Sequence, residues 1–252
     1  MVTESSAQSD ILTAPELRRF QHQIVLPQIK LEGQELIKSS KVIVIGAGGM
    51  GAQVLQFLAA SGVGSITIVD DELVQENSIQ TQTLYGGNDL GKLKTIISRS
   101  QLLNLYPFTK FEILNLRITK DNSEKFLTGC DIIIDATNSQ KSNYIINDAS
   151  VKLKKSWVYG HTSAFSGEVT VFNFENGPSY RCLYPDESSD RNTKPNTPSL
   201  VYGTLGCIMA TECIKILLHS KEVLSGRILN FDLYTSIFVQ QSFQRIEENF
   251  KI

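Results

Sequence analysis

Cysteine is scarce, and no two cysteines are close enough to form a thiol pair motif. The four are Cys130, Cys182, Cys207 and Cys213, with no Cys-x-x-Cys among them. That usage points to a reducing, cytoplasmic location. Cys207 and Cys213 lie in apolar surroundings and read as small core residues. An excess of either charge is also absent. Lys and Arg number 24 against 26 Asp and Glu, a net charge of −2, which leaves no electrostatic footprint for nucleic acid. No apolar run approaches the ~20 residues of a membrane span. The opening MVTESSAQSD is polar and acidic, unlike a signal peptide, and residues 1–12 are expected to form a flexible tail. Internal repeats and low-complexity tracts are missing.

What is present is a large apolar fraction, 41% of 252 residues, enough for one α/β core spanning 1–252. The informative stretch is Lys41–Asp70, KVIVIGAGGMGAQVLQFLAASGVGSITIVD. It reads as strand, glycine-rich turn, helix and second strand ending in an acid, the form of a nucleotide-binding βαβ unit. Gly46 permits the tight turn, Gly48 lets backbone approach a phosphate, and Gly51 lets the helix pack close to the sheet. The helix N-terminus offers N–H groups to an anion. Asp70, about 20 residues beyond the last glycine, is placed to accept from ribose hydroxyls. The fingerprint alone does not distinguish a nicotinamide cofactor from a nucleotide that is consumed.

The remaining elements follow from pattern. Thr13-Ala-Pro-Glu16 reads as a capping box opening a helix to about Ile24, which Pro27 ends, and a second helix spans Leu31–Lys38. Gly91–Leu103 is helical and Phe111–Ile118 a strand. The apolar run Asp131–Ala136 is typical of a buried parallel strand. Ser139–Lys154 is a helix and Trp157–Gly160 a strand. Glu168–Phe174 alternates and suggests an antiparallel strand. Residues 184–199, rich in Pro, Asp, Ser, Asn and Thr, are expected to be a long mobile crossover loop. Gly203–Leu218 is an apolar helix, and Arg227–Phe231 and Ser236–Phe243 are closing strands. The fold class is α/β, a Rossmann-like doubly wound, mainly parallel sheet with a C-terminal antiparallel extension.

From about Glu16 to Phe243 the chain resembles the MoeB/ThiF/HesA family, relatives of the ubiquitin-activating enzymes. The resemblance is carried by QIVLPQIKLEGQELIKSSKVIVIGAGGMG, AASGVGSITIVDDELV, QTLY, LGKLK, DIIIDAT, SGEVTVF, YRCLYP and GTLGCIMATECIK. It implies an ATP- and Mg²⁺-dependent adenylyltransferase, working as a homodimer, that activates the C-terminus of a ubiquitin-like sulfur-carrier protein of the ThiS/MoaD type, or a peptide. The reaction places negative charge on phosphates and asks for cations there. Position by position, Lys94 falls on the family's phosphate-binding lysine, Asp70 on its ribose acid, and Gly46, Gly48, Gly49 and Gly51 on its phosphate loop.

Other positions depart. Ser78 and Thr81 stand where the family has asparagine and arginine, and His22 where an arginine reaches into the partner subunit. Asn138 replaces the Mg²⁺-binding aspartate, leaving Asp135 or Asp71 as substitute recruiters of the metal. The candidate ATP site is therefore Gly46, Gly48, Gly49, Gly51, Asp70, Asp71, Ser78, Thr81, Lys94 and Asn138, with Lys94, His22 and Asn138 in catalytic roles. Three altered charges leave open a non-catalytic alternative, a nucleotide-binding scaffold or one half of a heterodimer with an active paralogue. The family's two zinc-binding Cys-x-x-Cys pairs are reduced to Ser179-Tyr-Arg-Cys182, so no zinc is expected and Cys182 reads as a partly buried remnant. Residues 184–202 lack cysteine; the position of the relatives' reactive thiol falls near Asn192. His161 reads as a turn residue or a contact for a substrate tail, His219 as a helix-end cation, and Lys92, Lys152, Lys154 and Lys155 as solvated.

Overall fold

A computed structural model describes residues 9–187 and 196–251. The chain begins with α1 (Ala14–Arg19), α2 (Gln21–Ile24) and α3 (Lys30–Ser39). Then come β1 (Lys41–Ile45), α4 (Gly49–Ala60), β2 (Ser65–Val69), α5 (Glu76–Ile79), α6 (Lys94–Leu105), β3 (Lys110–Leu114), α7 (Lys120–Leu127), β4 (Ile132–Asp135) and α8 (Gln140–Leu153). The last third holds β5 (Ser156–Ser163), β6 (Ser166–Phe172), α9 (Tyr180–Leu183), α10 (Ser199–Leu217), β7 (Arg227–Asp232) and β8 (Ile237–Ser242).

The strands form one sheet in the order β3-β2-β1-β4-β5-β6-β7-β8. The pairs from β3 through β5 are parallel, and those from β5 to β8 antiparallel. Because the chain winds from β1 to β2 on one side and returns to β4 on the other, the order reverses between β1 and β4. Ile45 is level with both Val69 and Asp135 there. In open α/β sheets the ligand crevice lies outside the strand C-termini at such a reversal.

Alternation along each strand divides the core. Val42, Val44, Ile66, Ile68, Ile132 and Ile134 pack with Leu55 and Leu58 of α4 and Leu205 and Met209 of α10. Ile43, Ile45, Ile133, Trp157 and Phe172 pack with Leu127 of α7 and Ile146 of α8. Both faces of the parallel strands are thus covered, which is why they read as unbroken apolar runs. At the far edge every residue of β8 is exposed.

Several boundaries moved. The first helix breaks at Phe20, whose φ/ψ of −95/10° departs from helix. The tail is shorter than expected on its described side: Ser9 Oγ donates to Glu35 Oε1 at 2.5 Å and Leu12 is buried. The third strand ends at Leu114. The segment after it turns into α7, which was not anticipated because its polar sequence KDNSEKFL carries only a narrow apolar stripe. Thr119 caps it, its N–H bonded to Asn122 Oδ1 at 2.8 Å. Of the expected loop 184–199, residues 188–195 lie outside the described residues, as does Asn192, and Ser199 already begins α10. That helix, 19 residues with mean hydropathy 1.5, has the length and composition of a membrane span. It is the exception to the absence of such runs, and here it packs on α4, β5 and β6.

Candidate functional site

The glycine turn is shaped by two close approaches. Gly46 has φ +98°, and a Cβ there would stand 2.7 Å from the Ala136 carbonyl oxygen. At Gly51 a Cβ would lie 1.9 Å from the Gly46 carbonyl oxygen, so α4 can sit this close only without a side chain. Gly48 differs: nothing comes nearer than 4.0 Å to its Cβ position, and its backbone faces open space. Gly49 is covered by the Tyr202 ring. From beneath, the buried Tyr85 hydroxyl donates to Ala47 O at 2.7 Å and pairs with Ser98 Oγ at 2.8 Å, which gives the QTLY segment its structural reason.

Asp70 follows β2. Its Oδ2 accepts from the Ala47 N–H at 2.7 Å and its Oδ1 from the Glu72 N–H at 2.8 Å. Burial raises its pKa above the ordinary value, opposed by those two bonds and by the nearby Lys94 charge. The backbone thus fixes the carboxylate, and each oxygen keeps a lone pair for a ribose hydroxyl.

Between these elements lies a cleft of about 1220 Å³, larger than the roughly 300–1,000 Å³ of ordinary small-molecule sites. Gly46, Gly48, Asp70, Asp71, Asn138 and Tyr202 line it, joined by Arg117, Lys120 and Lys141. Arg117 Nε stands 3.2 Å from Asp71 Oδ2 across the mouth.

The β4 side is built differently. Asp135 is fully buried, its Oδ1 accepting from the Thr137 N–H at 3.0 Å and Oγ1 at 2.7 Å, its Oδ2 from Asn143 Nδ2 at 2.7 Å. Burial pushes its pKa up to about 6 against those bonds. It does not line the cleft, which corrects its assignment as a metal ligand: its neighbours donate to it from within. Asn138 does line the cleft, at φ +51°, but its amide is engaged. Oδ1 accepts from the Thr162 N–H at 3.0 Å and Nδ2 donates to Thr162 O at 3.4 Å. The carboxylates left on the β2 side of the cleft are Asp70, Asp71 and Glu72. Asp71, paired among the described residues only with the exposed Arg117, would be the residue to hold Mg²⁺, which takes one or two carboxylates beside phosphate oxygens. Among the described residues no three His, Cys, Asp or Glu converge on a metal position.

Four other expected residues stand back from the cleft. Lys94 is buried on the first turn of α6, its Nζ 2.6 Å from Glu72 Oε2. Ser78 is buried on α5, and Thr81 Oγ1 donates to Ser78 O at 3.2 Å. His22 is exposed on α2. Outside the site, Cys213 is buried as expected, but Cys207 is exposed, because it falls on the outer face of α10. Cys182 Sγ accepts from the Ile246 N–H at 3.3 Å. His161 is not in a turn but in mid-β5, opposite Glu168. Lys92 stands 3.6 Å from Asp89 and is half exposed.

The chain and its fold have counterparts in known proteins. The sequence model of the ThiF family matches residues 20–249. The chain belongs to the ThiF family. Among relatives of this ThiF member, a probable molybdopterin-synthase adenylyltransferase of Porphyra purpurea is 39% identical over 228 residues, 88% of this chain and 60% of that protein. The sulfur carrier protein adenylyltransferase of Thermus thermophilus is 35% identical over 242 residues, 92% of this chain and 89% of that one. The chain thus spans less than two thirds of the first relative and most of the second. Solved structures share the fold. PaaA aligns with TM-score 0.83 at 19% identity over 97% of this chain and 79% of its own. MccB of E. coli, solved with ATP, aligns with TM-score 0.76 at 21% identity over 84% and 66%. The relatives are named as enzymes and lend no support to the non-catalytic alternative.

Sequence reading missed Glu72, Arg117, Lys141 and Tyr202. The signal for the first two was position alone: each lies within a few residues of a parallel strand's C-terminus, where a crevice is lined.

Proposed function

We propose that this ThiF family member is an ATP-dependent adenylyltransferase that activates the C-terminal carboxylate of a ubiquitin-like sulfur-carrier protein. The observation that carries the reading is the pairing of Gly48, open to the cleft at the N-terminus of α4, with Asp70, fixed by two backbone N–H groups at the same strand ends. Such a pair holds a phosphate at one point and a ribose at the other. Relatives named for adenylyl transfer to sulfur carriers support the substrate class.

In the reaction a carboxylate oxygen of the carrier forms a bond to the α-phosphorus, and the bond from that phosphorus to the pyrophosphate oxygen breaks. Products are an acyl adenylate and pyrophosphate. The glycine loop and α4 dipole neutralise part of the phosphate charge, Asp70 orients the ribose, and Lys94 supplies the buried positive charge. Thr81 and Ser78 hold the local turn and carry no charge to the phosphates. His22, on the outer surface, fits a donor to the cleft of a second copy. No step is assigned to a metal ion. The test is isotope exchange between pyrophosphate and ATP with a glycine-terminated ubiquitin-like carrier. Carrier-dependent exchange, abolished by Lys94→Met, is expected; ATP binding without exchange would overturn the reading.

A further inference from the structure

Lys94 and Glu72 form an ion pair whose members are unequal. The Lys94 side chain is 4% exposed and that of Glu72 58%. Glu72 lines the cleft and Lys94 does not, so the acid stands between the ammonium and the space a nucleotide would fill. The Lys94 backbone is tied to the segment after β2, its N–H bonded to Glu72 O at 3.1 Å. Asp70, the other acid whose charge Lys94 feels, is tied down by two backbone N–H groups. Among the described residues the Glu72 carboxylate has one hydrogen bond, to Lys94 at 2.6 Å. It is the only member of the trio that can swing into water without breaking a backbone contact.

We propose that Glu72 is the resident counter-ion of Lys94, displaced by a nucleotide phosphate, and that it thereby sets the affinity for phosphate-bearing nucleotides. The inference rests on the reading that the cleft binds ATP. A buried cation left alone is costly, so Lys94 keeps a partner at every stage, first the carboxylate and then the phosphate. A half-exposed carboxylate gives such a pair little, whereas phosphate oxygens offer more charge and several acceptors. The exchange therefore runs toward phosphate, but every ATP molecule must displace Glu72 to bind.

The experiment is calorimetric titration of the native protein and Glu72→Gln with ATP and, separately, with adenosine. Removing the competitor is expected to tighten ATP about twofold to fivefold, the equivalent of one weak ion pair, and to leave adenosine unchanged. Equal or weaker ATP affinity, or a gain shared by adenosine, overturns the proposal while the ATP reading stands. Absence of ATP binding in both proteins overturns the ATP reading and the proposal together. Should Glu72→Gln not fold, Glu72→Asp, which keeps the charge but shortens its reach, is expected to shift ATP affinity in the same direction.

Discussion

The two walls of the cleft use the same device to opposite ends. In each, a polar side chain at or just beyond a strand's C-terminus secures the loop that follows. At β2, Asp70 accepts from backbone N–H groups on both sides and remains in the cleft lining. At β4, Asp135 turns inward to Thr137 and Asn143, and Asn138 ties its amide to Thr162. One wall presents its charge and an open glycine to a ligand, and the other consumes its polar groups in holding itself together. In the proposed adenylyl transfer the charged work thus falls to the β1–β2 side and the lysine behind it.

The sharpest way to break this contrast lies within the first wall. Gly51→Ala would place a methyl 1.9 Å from the Gly46 carbonyl, and backbone cannot yield at that distance. The cost is expected to be at least about 3 kcal/mol, the upper range of overpacking effects, read as a lost or lowered thermal transition. Gly48→Ala meets nothing within ordinary contact. It should keep stability within about 0.5 kcal/mol yet weaken ATP binding. A Gly48→Ala protein that melts early or binds ATP normally would remove Gly48 from the ligand side.

Next in size is the pH response of the second wall. The pKa of Asp135 is raised from 3.8 to about 6, so the folded state holds its proton more tightly than the unfolded chain. That contribution to stability is fully present below pH 3.8 and is lost as pH rises through about 6. Relative to Asp135→Asn, the native protein should lose about 2.4 kcal/mol between pH 4 and 7, measured by denaturant unfolding across that range. Parallel curves for the two proteins would show that Asp135 is no more costly to ionise than a surface acid.

The first wall was legible in the sequence because its geometry depends on backbone. Gly46, Gly51 and Asp70 sit at fixed spacings from two strands, and spacing survives in a string of letters. The second wall was not, because side-chain direction decides it. Nothing in DIIIDATNS tells that Asp135 turns in while Asn138 faces the cleft and bonds to β5, a partner 24 residues away. The same holds for Lys94, whose helix was anticipated but whose counter-ion was not. Helix α7 escaped because propensity and capping, rather than an apolar period, define it. The exposure of Cys207 depends on which face of α10 meets α4, and an apolar helix conceals that choice.

The smallest expected effect is the one that would bring the two walls closer. Asn138→Asp places a carboxylate at the cleft edge where the second wall has none. Asp tolerates the left-handed φ of +51° nearly as well as Asn does, so the backbone has no reason to move. One oxygen still accepts from the Thr162 N–H, but the bond to Thr162 O is lost because a carboxylate has no donor. That bond, at 3.4 Å, is long, and its loss should cost about 1 kcal/mol or less. The second oxygen takes the place of Nδ2 opposite Thr162 O, and repulsion by that carbonyl would turn it toward the cleft that Asn138 lines, where it is a hard ligand. The variant should therefore show a larger ratio of ATP affinities with and without Mg²⁺ than the native protein, at slightly lower thermal stability. An unchanged ratio with the expected stability loss would mean that this edge of the cleft lies beyond the reach of a metal–nucleotide complex, and the asymmetry of the two walls would then reflect which of them the phosphates meet.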